Sequence, residues 1–169
     1  MEIKNSTPKD IDEIFRLYRM ATEYQKTKSA TPWPEFDRSL IETEISESRQ
    51  WKILIDEQIS CVWAVTFDDP QIWEERNSDP AIYIHRIATN PVFRGKNLVG
   101  EIVNWAKIYA RKNNKLFIRM DTVGENPGLI NYYTKSGLSF LGLHKLKNTT
   151  GLPSHYHNAP VSLFELPIK

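Results

Sequence analysis

From Ile82 onward the sequence passes from an apolar run of strand character, ending at Thr89, through Asn90-Pro91-Val92-Phe93-Arg94-Gly95-Lys96-Asn97 into apolar residues four apart. The two rows Leu98/Ile102/Trp105/Tyr109 and Val99/Val103/Ala106/Ala110 predict a helix from about Leu98 to Lys112 that packs on a sheet. A strand, a tight turn and a sheet-packing helix in direct succession restrict the chain to an α/β or α+β architecture. The turn also has a chemical character. The first N–H groups of a helix are free to bind an anion, its dipole adds favourable charge, and Arg94 and Lys96 add cationic donors, a combination suited to a pyrophosphate.

With 169 residues, 40% hydrophobic and 25% charged, residues 1–169 are expected to form a single domain with a sizeable core. The 22 basic and 21 acidic residues leave a net charge of +1, so bulk electrostatics supplies no case for nucleic acid or an anionic membrane as partner. Cys61, the one cysteine, lies in the apolar run Ile59–Val65. It excludes an internal disulfide, fits a reducing compartment and reads as a core thiol. Met1-Glu2-Ile3-Lys4-Asn5 has no apolar export region and no run is long enough to span a bilayer, so the expected location is cytoplasmic.

A first strand is predicted near Glu2–Asn5. Thr7-Pro8-Lys9-Asp10 then reads as a helix start, with Ile11, Ile14, Phe15, Tyr18 and Ala21 as its apolar face. After a break formed by the polar segment Gln25 to Ala30 and by Pro32-Trp33-Pro34, the residues Phe36, Leu40, Ile41 and Ile45 suggest a second helix. Strands at Trp51–Ile55 and Ile59–Phe67 are joined as a hairpin, and Pro70 to Pro80 reads as a polar loop around a buried Trp73. Beyond the central unit come a strand at Leu116–Thr122, a helix at Pro127–Ser136 stopped by Gly137, and strands at Ser139–Leu146 and Val161–Leu166.

This element order, with specific residues between Ile82 and Phe140, resembles the GCN5-related N-acetyltransferase (GNAT) superfamily. Arg94-Gly95-Lys96-Asn97-Leu98-Val99 stands at the family's Q/R-x-x-G-x-G/A signature, with Gly100 following. Asn126 and then Tyr132-Tyr133-Thr134-Lys135-Ser136-Gly137-Leu138 stand at its asparagine and its tyrosine helix with a Lys-x-Gly-Phe-like ending. The resemblance implies a three-layer fold: a mixed, mostly antiparallel sheet of six to seven strands with helices on both faces. It also implies acetyl-CoA as co-substrate, its pyrophosphate at Arg94–Gly100, its pantetheine along Ile87-Ala88-Thr89, and further cofactor contacts from Asn126, Tyr133 and Lys135.

Asn97 and Val99 fill both glycine positions of that signature. Asparagine visits positive φ more readily than most residues. The branched Val99 is expected to crowd the phosphates and weaken binding without abolishing it, because the contacting groups are mainly backbone N–H.

The same resemblance implies transfer of acetyl to a primary amine by direct attack in a ternary complex. Tyr132 and Tyr133 point about 100° apart on a helix, so only one can face the cofactor. Tyr133 aligns with the family's tyrosine and is the expected general acid for the leaving thiolate. An alkylammonium, with a pKa of about 10.4, must first lose a proton. His85 on the cofactor strand is the candidate base, histidine being the commonest such group. Asp121 near the end of the neighbouring strand is the other group weighed for it and is assigned to the acceptor site; each has an alternative structural role.

Trp33, Phe36 and Trp73 read either as packing or as a wall for the acceptor. His155-Tyr156-His157 lacks partners at ligand spacing for zinc and reads as a loop in which His155 borders the acceptor; no metal is expected. Cys61 has no evident base, which argues against a covalent acetyl-enzyme. A non-catalytic acyl-CoA-binding domain of the same fold is the alternative reading. Whether the acceptor is a polyamine, amino acid, antibiotic or protein amine, and whether the chain forms a homodimer, stay open.

Overall fold

Among the described residues seven strands form one open sheet in the order β1-β2-β3-β4-β5-β7-β6. They are β1 (Glu2–Asn5), β2 (Gln50–Ile55), β3 (Gln58–Thr66), β4 (Ala81–Thr89), β5 (Phe117–Val123), β6 (Ser139–His144) and β7 (Val161–Pro167). Among the described residues five helices accompany them: α1 (Ile11–Thr27), α2 (Arg38–Ser46), α3 (Pro70–Trp73), α4 (Leu98–Lys112) and α5 (Pro127–Lys135). The computed structural model describes residues 1–28 and 30–169. Two compact units make up the chain, one of Met1–Val65 with His85–Leu98, the other of Thr66–Ile84 with Val99–Lys169.

In the first unit β1, β2 and β3 run antiparallel, with Ile3 opposite Ile53 and Trp51 opposite Trp63. Asp56 and Glu57 both have positive φ, the conformation a two-residue hairpin needs to match strand twist. Before α1, the Asp10 carboxylate accepts the Thr7 N–H at 2.7 Å and pairs with Lys52 at 2.6 Å. The apolar stripe of α1 then supplies Ile11, Ile14, Leu17 and Tyr18, which pack with Ile41, Val62 and Ala88. Burying such side chains stabilises the fold by about 1.5–3 kcal/mol each.

In the second unit β4 pairs with β5 in parallel, Ala81 to Tyr83 against Phe117 to Arg119, while β5, β7 and β6 pair antiparallel. Its core gathers Ile72, Trp73, Ala81, Tyr83, Leu146, Val161 and Leu163. Arg119 is buried as well. Its guanidinium donates to Glu165, Asp79, the Arg76 carbonyl and the Tyr83 hydroxyl, so its charge is compensated inside the fold.

The Pro70–Pro80 segment differs from the expected loop. It folds as α3 followed by a 3₁₀ turn at Glu74–Ser78 and contributes Trp73 to the core, so Trp73 is a packing residue rather than an acceptor wall. Proline at the first helical position and the buried Ile72-Trp73 pair stabilise a helix too short for periodicity to reveal. The first helix runs on to Thr27, into the break expected from Gln25, because Gln25-Lys26-Thr27 are all compatible with a helix, and Ser29 of that break lies outside the described residues; elsewhere the observed bounds fall close to the expected ones. Among the described residues, no helix is long and apolar enough to cross a membrane.

Candidate functional site

In the first unit, the turn after β4 is pinned by Asn90. Its side chain accepts the Val92 N–H at 3.2 Å and donates to the Ile59 carbonyl, and its own N–H donates to the Ser60 carbonyl. A 3₁₀ turn comes next at Pro91–Phe93, closed by the Phe93 N–H on the Asn90 carbonyl at 2.9 Å. Arg94, Gly95, Lys96 and Asn97 are then exposed, with Gly95 at φ +85° and Asn97 at φ +53°.

Two left-handed residues flanking a lysine at a helix entry leave the backbone outside any regular ladder, the arrangement in which successive N–H groups cup an anion. A Cβ at Gly95 would meet nothing within 4 Å, so glycine answers to the backbone angle there rather than to crowding. The guanidinium of Arg94 rests over the Tyr24 ring, 4.1 Å from its centre.

Along β4, Ala88 is buried, whereas Ile87 and Thr89 are partly exposed. The Thr89 hydroxyl lies 3.6 Å from the Cys61 sulfur. Burial pushes the Cys61 thiol up to about 12, which keeps it protonated and a poor nucleophile. His85 is pulled the other way, down to about 3, by desolvation and by the positive charges of Arg86 and Arg49. Trp33 and Phe36 meet Tyr18 edge to face at 5.7 and 5.6 Å, packed against the core yet each still partly exposed.

In the second unit, Val99 is 2% exposed, so its branched side chain points into the interior and the expected crowding of phosphates does not follow from it. Gly100 is partly buried in α4. Asn126 caps α5, its side chain accepting the Leu129 N–H at 3.1 Å. Tyr133 is buried, edge-on to Phe164 at 5.2 Å, whereas its neighbour Tyr132 is 42% exposed. The helix ends at Gly137, φ +104°, with the Leu138 N–H on the Tyr133 carbonyl, and Lys135 is exposed beside it.

Asp121 lies on β5, where it accepts a 2.7 Å hydrogen bond from the Tyr156 hydroxyl. A carboxylate oxygen of Asp69 comes within 4.8 Å of it. Asp121 is pushed up to about 6 by desolvation, against the lowering effect of Tyr156. Asp69 rises to about 8 through desolvation and the neighbouring charges of Asp121 and Asp68. At neutral pH this pair therefore holds one proton and one negative charge. One Asp69 oxygen is buried and, among the described residues, lacks a hydrogen-bond partner. The His155 ring lies tilted against that of Tyr156, their centres 4.4 Å apart.

Sequence reasoning missed Asp69 and Tyr156. Asp69 precedes a proline in what reads as a loop, and Tyr156 is hidden between two more conspicuous histidines. Neither carries a periodic or motif signal.

A model of the "Acetyltransferase (GNAT) family" matches residues 11–138. The chain belongs to that family. It is 24% identical over 141 residues to the Bacillus subtilis protein titled "Uncharacterized N-acetyltransferase YesJ", covering 79% of this chain and 78% of that one. In fold it is similar to GNAT-family acetyltransferases from Streptococcus agalactiae (TM-score 0.77, 21% identity, 99% of this chain and 95% of that one) and Listeria monocytogenes (0.76, 21%, 99% and 94%).

Proposed function

We propose that the chain transfers an acetyl group from acetyl-CoA to a primary amine by direct attack in a ternary complex. The observation that carries this reading is the Arg94–Asn97 turn, in a chain of the GNAT family. It is exposed, left-handed at Gly95 and Asn97, cationic at Arg94 and Lys96, and anchored from behind by Asn90. These features suit the pyrophosphate of a CoA thioester, which would supply an activated acetyl group. Ile87–Thr89 are assigned to the pantetheine arm, and Asn126 and Lys135 to further cofactor contacts.

Asp121 is the better base. With its pKa raised to about 6 it is ionised at neutral pH and takes a proton from the ammonium directly or through a water, whereas His85, held near 3, stays neutral. The negative charge of the Asp69–Asp121 pair favours a cationic acceptor, and Trp33 and His155 are each assigned an acceptor contact. The freed amine nitrogen bonds to the acetyl carbon as the carbon–sulfur bond breaks, and the acylated nitrogen gives up its surplus proton to water to leave the neutral amide. The thiolate then takes the Tyr133 phenol proton, which solvent restores. Cys61, buried and protonated, is a poor nucleophile for an acetyl-enzyme. The unpaired thiol fits a reducing compartment, so the proposed location is the cytoplasm.

Thiol release from acetyl-CoA, screened against polyamines, amino acids, aminoglycosides and peptide amines, tests the proposal. Amine-dependent release supports it. Acetyl-CoA binding without release across the panel would favour the non-catalytic acyl-CoA-binding reading.

A further inference from the structure

Arg86 sits inside strand β4 with φ +52°. A long side chain in the left-handed region costs about 1–3 kcal/mol and persists only where its surroundings hold it there. The surroundings here are unusually complete. The Arg86 guanidinium donates to both carboxylate oxygens of Glu44, to the Tyr18 hydroxyl at 3.3 Å, and covers the Phe36 ring with its carbon 5.3 Å from the centre.

Glu44 is buried in α2 and also accepts from Gln50, whose amide donates to the same Tyr18 hydroxyl at 3.0 Å. Arg49 also stands 3.5 Å from the Glu44 carboxylate. Side chains from α1, α2, β2 and the segment before α2 thus converge on one residue of β4. Buried ion pairs contribute little net stability against apolar packing, so a pair this costly to desolvate is better read as fixing a geometry.

A left-handed residue breaks the two-residue alternation of a strand and re-aims the residues after it, here Ile87, Ala88 and Thr89. Through Phe36 the same guanidinium reaches the Trp33–Phe36 aromatic pair, whose rings lie 6.1 Å apart. We infer that Glu44 and Arg86 are positioning residues: their ion pair holds the left-handed backbone at Arg86 and so sets the aim of Ile87–Thr89 toward the CoA arm, tying that segment to the Trp33–Phe36 side of the unit. This inference rests on the acetyl-CoA reading above.

The test compares Glu44→Gln with the double variant Glu44→Gln/Arg86→Asn, using calorimetric CoA binding and residue-resolved amide hydrogen exchange. The single variant leaves a buried guanidinium uncompensated on a strained backbone. The double variant removes that charge and places at 86 a residue tolerant of positive φ. In Glu44→Gln, CoA binding weakens and exchange at Ile87–Thr89 accelerates, each by about tenfold, the order expected when such strain is released. In the double variant both return to within about threefold of the wild type.

Should Glu44→Gln not fold, Glu44→Asp, which keeps the charge but shortens its reach, is expected to show the same two changes. A merely stabilising pair would lower the melting temperature with CoA affinity and Ile87–Thr89 exchange unchanged in folded protein, and that result would overturn the inference. Wild-type protein that fails to bind CoA would instead refute the acetyl-CoA reading. Hydrogen exchange would still decide whether the pair positions the strand.

Discussion

Tyr156 donates a 2.7 Å hydrogen bond to Asp121, linking a short 3₁₀ turn before the last strand to the side chain on β5 that is proposed above as the base. Asp121 is the ionised member of a pair whose other carboxyl, Asp69, keeps its proton to about pH 8. In the proposed mechanism this pair both attracts the ammonium and takes its proton, with consequences that can be measured.

Asp121→Asn is expected to lower kcat/KM by about 10²–10⁴-fold, the usual contribution of a positioned base. In the wild type, activity rises with pH through about 6 as Asp121 ionises, and this limb disappears in the variant. His85→Gln is expected to keep the limb. A pH–rate profile in which His85→Gln alone removes it would return the base to His85.

Tyr133→Phe is expected to reduce kcat by about 10²–10⁴-fold with CoA affinity nearly unchanged, because a phenol that only protonates the leaving thiolate adds little to ground-state binding. Tyr132→Phe, at an exposed ring, is expected to leave kcat unaltered. Steady-state kinetics with direct CoA titration separates the two.

Val99→Gly restores the family's glycine yet is expected to destabilise the fold by about 3 kcal/mol, from lost burial of the side chain and a glycine in a helix. Little gain in CoA affinity is expected, because Val99 already points inward. Denaturant titration and calorimetry check both parts.

Stability is expected to fall as pH rises from about 6.5 to 9, and Asp69→Asn is expected to flatten that fall. The folded-state pKa of Asp69 is raised from 3.8 to about 8, so the folded state holds a proton the unfolded chain has released. Its contribution is fully present below about 3.8 and lost as pH rises through 8. Asp121 acts in the same direction up to about 6, while His85, lowered from 6.5 to about 3, opposes both below 6.5. Cys61 adds a further loss only above 9. Melting temperature against pH checks this; an unchanged slope in Asp69→Asn would contradict it.

The strand–turn–helix from Ile82 to Lys112 and the helix after Asn126 were legible because periodicity and capping are local. Asn97 at φ +53° is a residue type that announces its own backbone. Arg86 at φ +52° announces nothing, since its conformation is imposed by Glu44, Tyr18 and Phe36, distant in sequence. Asp69 and Tyr156 were illegible for the same reason: their roles come from the tertiary approach to Asp121. Trp73 was read as buried, but whether it packed or lined a pocket depended on an α3 too short to show a period.

The most direct measurement of the central claim tracks free CoA and acetylated amine together in one reaction of the wild-type protein with acetyl-CoA and a responsive amine. Equal amounts of both are expected, dependent on protein and amine, falling by about 10²-fold or more in Asp121→Asn and Tyr133→Phe. CoA release without acetylated amine, or saturable acetyl-CoA binding with neither product, would contradict it.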